Sequence, residues 1–222
     1  MSGEDKLPDQ LPESLSAIGS ELLTALGLPG GSVLGVALSS LFRKRLEQAR
    51  EILLEELRRG DKKLTDVGEV EEAAAIIYRY GRAAQEGAAR LNLRLMAKVI
   101  AGQAQIGNLV ADDFLYYADM LASLRREEII LIATLHRNQT LTEQGTLDEL
   151  QTWTKSLEEL VPLLFSSESE MLAVAQGAAR TGFVTSGVTF DGMSAFVPSA
   201  LLEKLQGLAP FDDALRREGQ KA

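Results

Sequence analysis

Few residues in this chain are suited to chemistry, and their scarcity bounds the reactions open to it. His136 is the single histidine among 222 residues, and there is no cysteine. That combination excludes a thiol nucleophile, a disulfide scaffold, a zinc–cysteine site and any metal site built from several histidines. A histidine-based triad has only His136 to use. It follows the apolar run 129–133 and is expected near the C-terminal end of that helix, where the dipole favours an imidazolium. It is read as a surface or end-capping residue. The acidic pairs Asp112-Asp113 and Asp212-Asp213 are adjacent in sequence. Neighbours on a helix point in different directions, so neither pair is a ready-made shared carboxylate site. No glycine-rich loop ends in Lys-Ser or Lys-Thr, and no His-Glu-x-x-His, EF-hand or Gly-x-Ser-x-Gly pattern occurs. The expectation is a non-enzymatic protein with no cofactor and no metal.

Charge narrows the partners. The chain carries 23 basic and 32 acidic residues, a net of −9, and aromatics make up 5%. An acidic surface with few stacking rings disfavours nucleic acid. The charge is uneven: from Asp112 onward there are 9 basic and 17 acidic residues, while the first 111 residues are nearly neutral.

The elements that must position these residues read as helices. Phe42, Leu46, Ala49, Leu53 and Leu57 step by three and four along one face of a helix over 32–59, with Glu47, Glu51 and Glu55 on another. A second long helix is expected from Asp66, capped reciprocally by Glu69, to about Gly102. Its stripe is Ala73, Ile77, Tyr80, Ala84, Gly87, Leu91 and Leu95. The small residues Ala83, Ala84, Gly87 and Ala88 mark where another helix approaches closely, from the same chain or from a second copy. Arg82, Arg90, Arg94 and Lys98 give this helix a basic edge, read as solvated.

Further on, Asp112 or Asp113 opens a helix, Ser123 caps the next, and Thr146/Glu149 and Ser167/Glu170 form capping boxes for two more. The period then changes to two: Val184, Ser186, Val188 and Phe190 alternate, Asp191-Gly192 is a hairpin turn, and 193–197 returns as a strand. Ser199 caps a short helix, and a charged tail follows. The order of helices, hairpin and helix between 112 and 210 is that of a winged helix. Its recognition-helix position offers Glu168, Glu170 and only Arg180, too little positive charge for phosphates.

The charge-free stretch 22–42 is long enough to cross a bilayer, but Gly27-Leu28-Pro29-Gly30-Gly31 interrupts it. Two amphipathic helices of a soluble protein are the expected outcome. The alternative is insertion of 22–42 with Arg43, Lys44 and Arg45 contacting anionic lipid headgroups. Residues 1–13 read as a flexible polar segment without the basic start of a secretory signal.

The Gly27–Gly31 opening, the helix over 42–59, the block Arg90-Leu91-Asn92-Leu93-Arg94-Leu95-Met96-Ala97-Lys98-Val99-Ile100-Ala101-Gly102 and the block Ala122-Ser123-Leu124-Arg125-Arg126-Glu127-Glu128-Ile129 together resemble uncharacterised bacterial helical proteins of the alpha-type abortive-infection kind. The resemblance spans roughly 20–200. It implies a bacterial origin and a phage-defence or envelope-associated role, and it carries over no catalytic residue.

The sequence therefore leads to a mainly α protein: a flexible segment over 1–13, a long-helix hairpin region over 14–111, a winged-helix-like α+β module with one β-hairpin over 112–210, and a charged tail over 211–222. The expected function is a self-associating interaction or regulatory protein, cytoplasmic and able to lie against the inner membrane face. A membrane-acting effector is the first alternative and a DNA-linked regulator the second.

Overall fold

Apolar residues spaced by three and four along most of the chain become ten helices, and the one stretch with a period of two becomes a two-stranded antiparallel hairpin, among the described residues. The computed structural model describes residues 14–26, 33–58, 60–65, 67–143, 149–188 and 194–219. The chain divides into two compact units, Met1–Ala122 and Ser123–Ala222.

The first unit holds α1 (Leu15–Ala25), α2 (Val33–Leu57), α3 (Val67–Glu86), α4 (Arg90–Gln105) and α5 (Ala111–Ser123). The Ser14 side chain caps α1 by accepting from the Ala17 N–H, and Asp61 accepts from the Ser16 N–H at 3.1 Å. Helix α2 buries Leu46, Ala49, Ile52, Leu53 and Leu57, the face its spacing predicts. The glycine-proline break at 27–31 lies outside the described residues, and so do residues 1–13 and Asp66. Glu69, expected to pair with Asp66, accepts from the Thr65 N–H at 2.7 Å and from the Thr65 hydroxyl at 2.9 Å.

The expected single helix over 66–102 is two helices. Gly87 takes φ 97°, and the backbone closes with Ala88 N–H to Ala83 O at 2.9 Å and Gly87 N–H to Ala84 O at 3.2 Å. This paired pattern ends a helix at a left-handed glycine. The apolar stripe stays in step on both sides of the break, which is why periodicity alone runs through it. Helix α4 then lies deep: every residue from 91 to 101 is buried. Helix α5 belongs to this unit rather than opening the C-terminal module. Its first N–H donates to the Glu72 carboxylate, the Asn92 amide donates to the Leu121 carbonyl at 2.6 Å, and Phe114, Ala118 and Leu121 are buried.

The second unit holds α6 (Arg126–Glu143), α7 (Glu149–Leu160), α8 (Glu168–Ala179), β1 (Val184–Val188), β2 (Ser194–Pro198), α9 (Ala200–Leu208) and α10 (Phe211–Gly219). Ser167 and Ser199 cap α8 and α9 as their sequences predict, accepting from Glu170 and Leu202 N–H groups. The strands pair Val184 with Pro198 and Ser186 with Phe196, and the Phe196 ring lies 5.6 Å from Trp153 of α7. The Asp191-Gly192 turn and Thr146 lie outside the described residues.

Two expectations change here. Ser123 is the last residue of α5, and at the start of α6 Glu128 accepts from the Arg125 N–H at 2.7 Å. The charged tail is in fact a helix. Phe211 and Ala214 of α10 are fully buried, Asp212 and Asp213 occupy its first turn and Arg216 and Arg217 its last. That distribution complements the helix dipole at both ends.

Glu69 also fixes an acid-side limit on the first unit. Hydrogen bonds from the Lys62 ammonium first, then from the Thr65 N–H and hydroxyl, lower its pKa from 4.5 to about 2. A carboxylate depressed in the folded state contributes stability above its ordinary pKa and loses it as pH falls through the folded value. The Glu69 contribution is therefore complete above pH 4.5 and disappears toward pH 2. Carboxyl NMR titration of the wild-type chain should place Glu69 near 2, and Lys62→Met should move it upward; an unmoved titration contradicts the pairing.

Candidate interaction surface

The solvent side of α2 carries residues of both charge signs in a fixed order. Ser40, Arg43, Lys44, Glu47, Gln48 and Glu51 recur at spacings of three and four, so they share one broad face. Together with Arg90, the first residue of α4, they line an open groove of about 610 Å³. Leu41 stands beside it, 56% exposed. Arg43 and Lys44 make no hydrogen bond or ion pair among the described residues, while Glu47 is engaged by Arg50 at 3.2 Å. Arg45, grouped with Arg43 and Lys44 by sequence, turns elsewhere: its guanidinium donates to the Gln85 carbonyl at 3.0 Å. The basic trio is thus split by the helical rotation between neighbours.

The small-residue stretch serves a different purpose at each position. Ala83 and Ala84 are 1% exposed and pack inside the first unit, whereas Gly87 and Ala88 form the turn between α3 and α4. Among the described glycines the tightest fit is at Gly81, where a Cβ would sit 2.6 Å from the Leu23 side chain and 2.7 Å from the Leu26 side chain. On the outer side of α3, Tyr78 is exposed near Arg82. Arg79 pairs with Asp119 of α5 at 2.7 Å, one turn from exposed Tyr116. Tyrosine and arginine are the side chains enriched where proteins meet.

The basic edge expected on 82–98 does not exist as a solvated strip. Arg94 is 0% exposed and Lys98 is buried. Arg94 binds Glu56 at 2.6 Å and Glu55 at 3.3 Å, and Lys98 binds Glu56 at 3.3 Å. Helix α4 is covered all round, so the cations at 94 and 98 need compensating partners, and α2 supplies carboxylates. Arg82 alone keeps the expected exposure, pairing with Glu86 at 2.8 Å. The neighbouring Tyr80 hydroxyl donates to the Ala49 carbonyl at 2.8 Å, and burial pushes its pKa far above the usual phenol range. Sequence held one signal for this cluster: Glu56 falls on the stripe Leu46, Ala49, Leu53, at a position meant for an apolar side chain.

In the second unit, Arg180 is committed to the protein itself. It donates to both oxygens of buried Glu128, at 2.5 and 3.0 Å, to the Ser123 carbonyl at 2.7 Å and to the Gly177 carbonyl. Burial raises the Glu128 pKa, but hydrogen bonds from Arg180 and the Arg125 N–H outweigh it and hold the carboxyl below its ordinary value. His136 lies inside α6, well before the helix ends, and its Nε2 is 3.3 Å from Glu203 of α9. It is a bridge between helices and not an end cap. The pairs Asp112-Asp113 and Asp212-Asp213 occupy the first turns of α5 and α10.

Among the described residues no group of three or more His, Asp or Glu side chains is placed to hold a metal ion, and no helix is long and apolar enough to cross a membrane. Comparison of the chain with known protein families, characterised proteins and solved structures finds no match.

Proposed function

We propose that this chain is a non-enzymatic helical interaction protein that self-associates and acts through protein contacts. The observation that carries the reading is the α2 face, where Arg43 and Lys44, without an ion pair among the described residues, stand next to Glu47 and Glu51 around an open groove. A surface carrying both signs suits another protein surface, which can match both, better than a polyanion, which matches one. The exposed Tyr78 and Tyr116 beside the Arg79–Asp119 pair offer a second, aromatic contact surface for a different partner.

The second unit is read as a winged-helix-like module, from its order of helices, hairpin and helix, used for protein contact and not for DNA. Its α8 begins with exposed Glu168 and Glu170, and Arg180, just past its end, is held by four hydrogen bonds within the chain. Light scattering across a concentration series tests the proposal: the mean mass should rise from one chain toward two. A single-chain mass at millimolar concentration contradicts it.

A membrane-acting, phage-defence-like effector is the second reading, favoured by exposed Leu41 next to Arg43 and Lys44. It predicts co-sedimentation with phosphatidylglycerol vesicles. Glu47 and Glu51 on the same face oppose it.

A further inference from the structure

We infer that two copies of this chain pair antiparallel through α2, about a two-fold axis at the level of Glu47 and Gln48. The inference rests on the self-association proposed above and gives it a surface, a direction and a register. It follows from the order of charge along one helix face. The N-terminal part of the face carries Arg43 and Lys44, and the C-terminal part carries Glu51. Such a face is complementary to itself reversed. An axis between residues 47 and 48 sets Lys44 of each copy opposite Glu51 of the other, so one contact occurs twice, as two-fold symmetry requires. Arg43 flanks each pair on the same side of the groove. A parallel pairing would oppose Lys44 to Lys44 and Glu51 to Glu51, which like-charge repulsion disfavours.

The residue nearest the axis does not spoil the match. Glu47 is already engaged by Arg50 of its own helix at 3.2 Å, so it meets Gln48 of the other copy as part of a neutral pair. Exposed Leu41 at the edge of the face gives the contact apolar surface to cover. An anionic membrane or a free phosphate fits less well, since either would press on Glu47 and Glu51 while engaging Arg43, Lys44 and Arg90. The groove therefore suits a second copy of this chain.

The register makes an uncommon prediction about mixtures. Lys44→Glu places Glu opposite Glu51, and Glu51→Lys places Lys opposite Lys44, so each variant alone should associate about tenfold to a hundredfold more weakly than wild type. Mixed in equal amounts, the two variants become complementary in both contacts and should form a heterodimer near wild-type affinity. Both residues lie on the solvent side of α2, so circular dichroism matching wild type shows that the variants fold. Sedimentation velocity on each variant, the mixture and the wild type reads the result. A dimeric wild type with unaffected single variants, or a mixture that stays monomeric, overturns this register while leaving self-association standing. A wild type of single-chain mass removes both. A monomeric wild type that binds phosphatidylglycerol vesicles and loses binding on Lys44→Glu assigns the face to lipid and overturns the inference as well.

Discussion

Glu56→Ala should destabilise the first unit by about 3–5 kcal/mol in urea unfolding followed by circular dichroism. The carboxylate is 4% exposed and is shared by Arg94, itself fully buried, and by Lys98. Its removal takes from both cations the carboxylate that binds Arg94 at 2.6 Å and Lys98 at 3.3 Å, while Glu55 stays 3.3 Å from Arg94. The penalty comes from burying positive charge in excess of its carboxylates and not from the lost attraction, and that distinction is testable. Replacing the whole group in one step, with Glu56→Leu, Arg94→Met and Lys98→Met, should cost far less than Glu56→Ala alone, because no buried charge is left uncompensated. A Glu56→Ala chain within about 1 kcal/mol of wild type, the range of an exposed ion pair, contradicts the cluster as described. The role left for the cluster is register: carboxylates on α2 accept cations on α4 in one alignment of the two helices.

Phe211→Ala should destabilise the second unit by about 3–5 kcal/mol, the usual cost of truncating a buried phenylalanine. Phe211 is fully buried and meets Phe183, just before β1, edge to face at 6.2 Å. The single tryptophan, Trp153, is buried in the same unit against Phe196 of β2. Its fluorescence therefore reports the unfolding of this unit selectively. If the segment after 210 were a solvated tail, Phe211→Ala would move the midpoint by no more than an ordinary surface substitution, within about 0.5 kcal/mol.

These two residues also mark where sequence reasoning reaches and where it stops. Ser167 and Ser199 are legible as caps because the capping bond closes within three residues and needs no other part of the fold. The buried face of α2 is legible because Leu46, Ala49, Leu53 and Leu57 keep helical spacing. Glu56, Arg94 and Lys98 are not, because a charged residue on a helix is solvated unless tertiary packing covers it, and the covering belongs to other elements. The break at Gly87 hides behind a stripe that continues in step on both sides. Helix α10 has only Phe211, Ala214 and Leu215 as apolar residues, confined to its first half and too few for a sustained periodic signal. The acidic start and basic end of that segment were the cue available. The α2 surface is legible in part: Arg43 and Lys44 stand out in the sequence beside an apolar stretch. That Glu47, Glu51 and Arg90 share their groove, and that Arg45 does not, depends on helical rotation and on where α4 begins.

The proposed pairing leans on charge, so ionic strength is its most direct probe. Sedimentation equilibrium of the wild-type chain at low salt should give a mass near twice the 24.1 kDa of one chain. It should fall toward one chain as salt approaches 1 M, where screening acts within about 3 Å. A single-chain mass at every salt concentration contradicts the account.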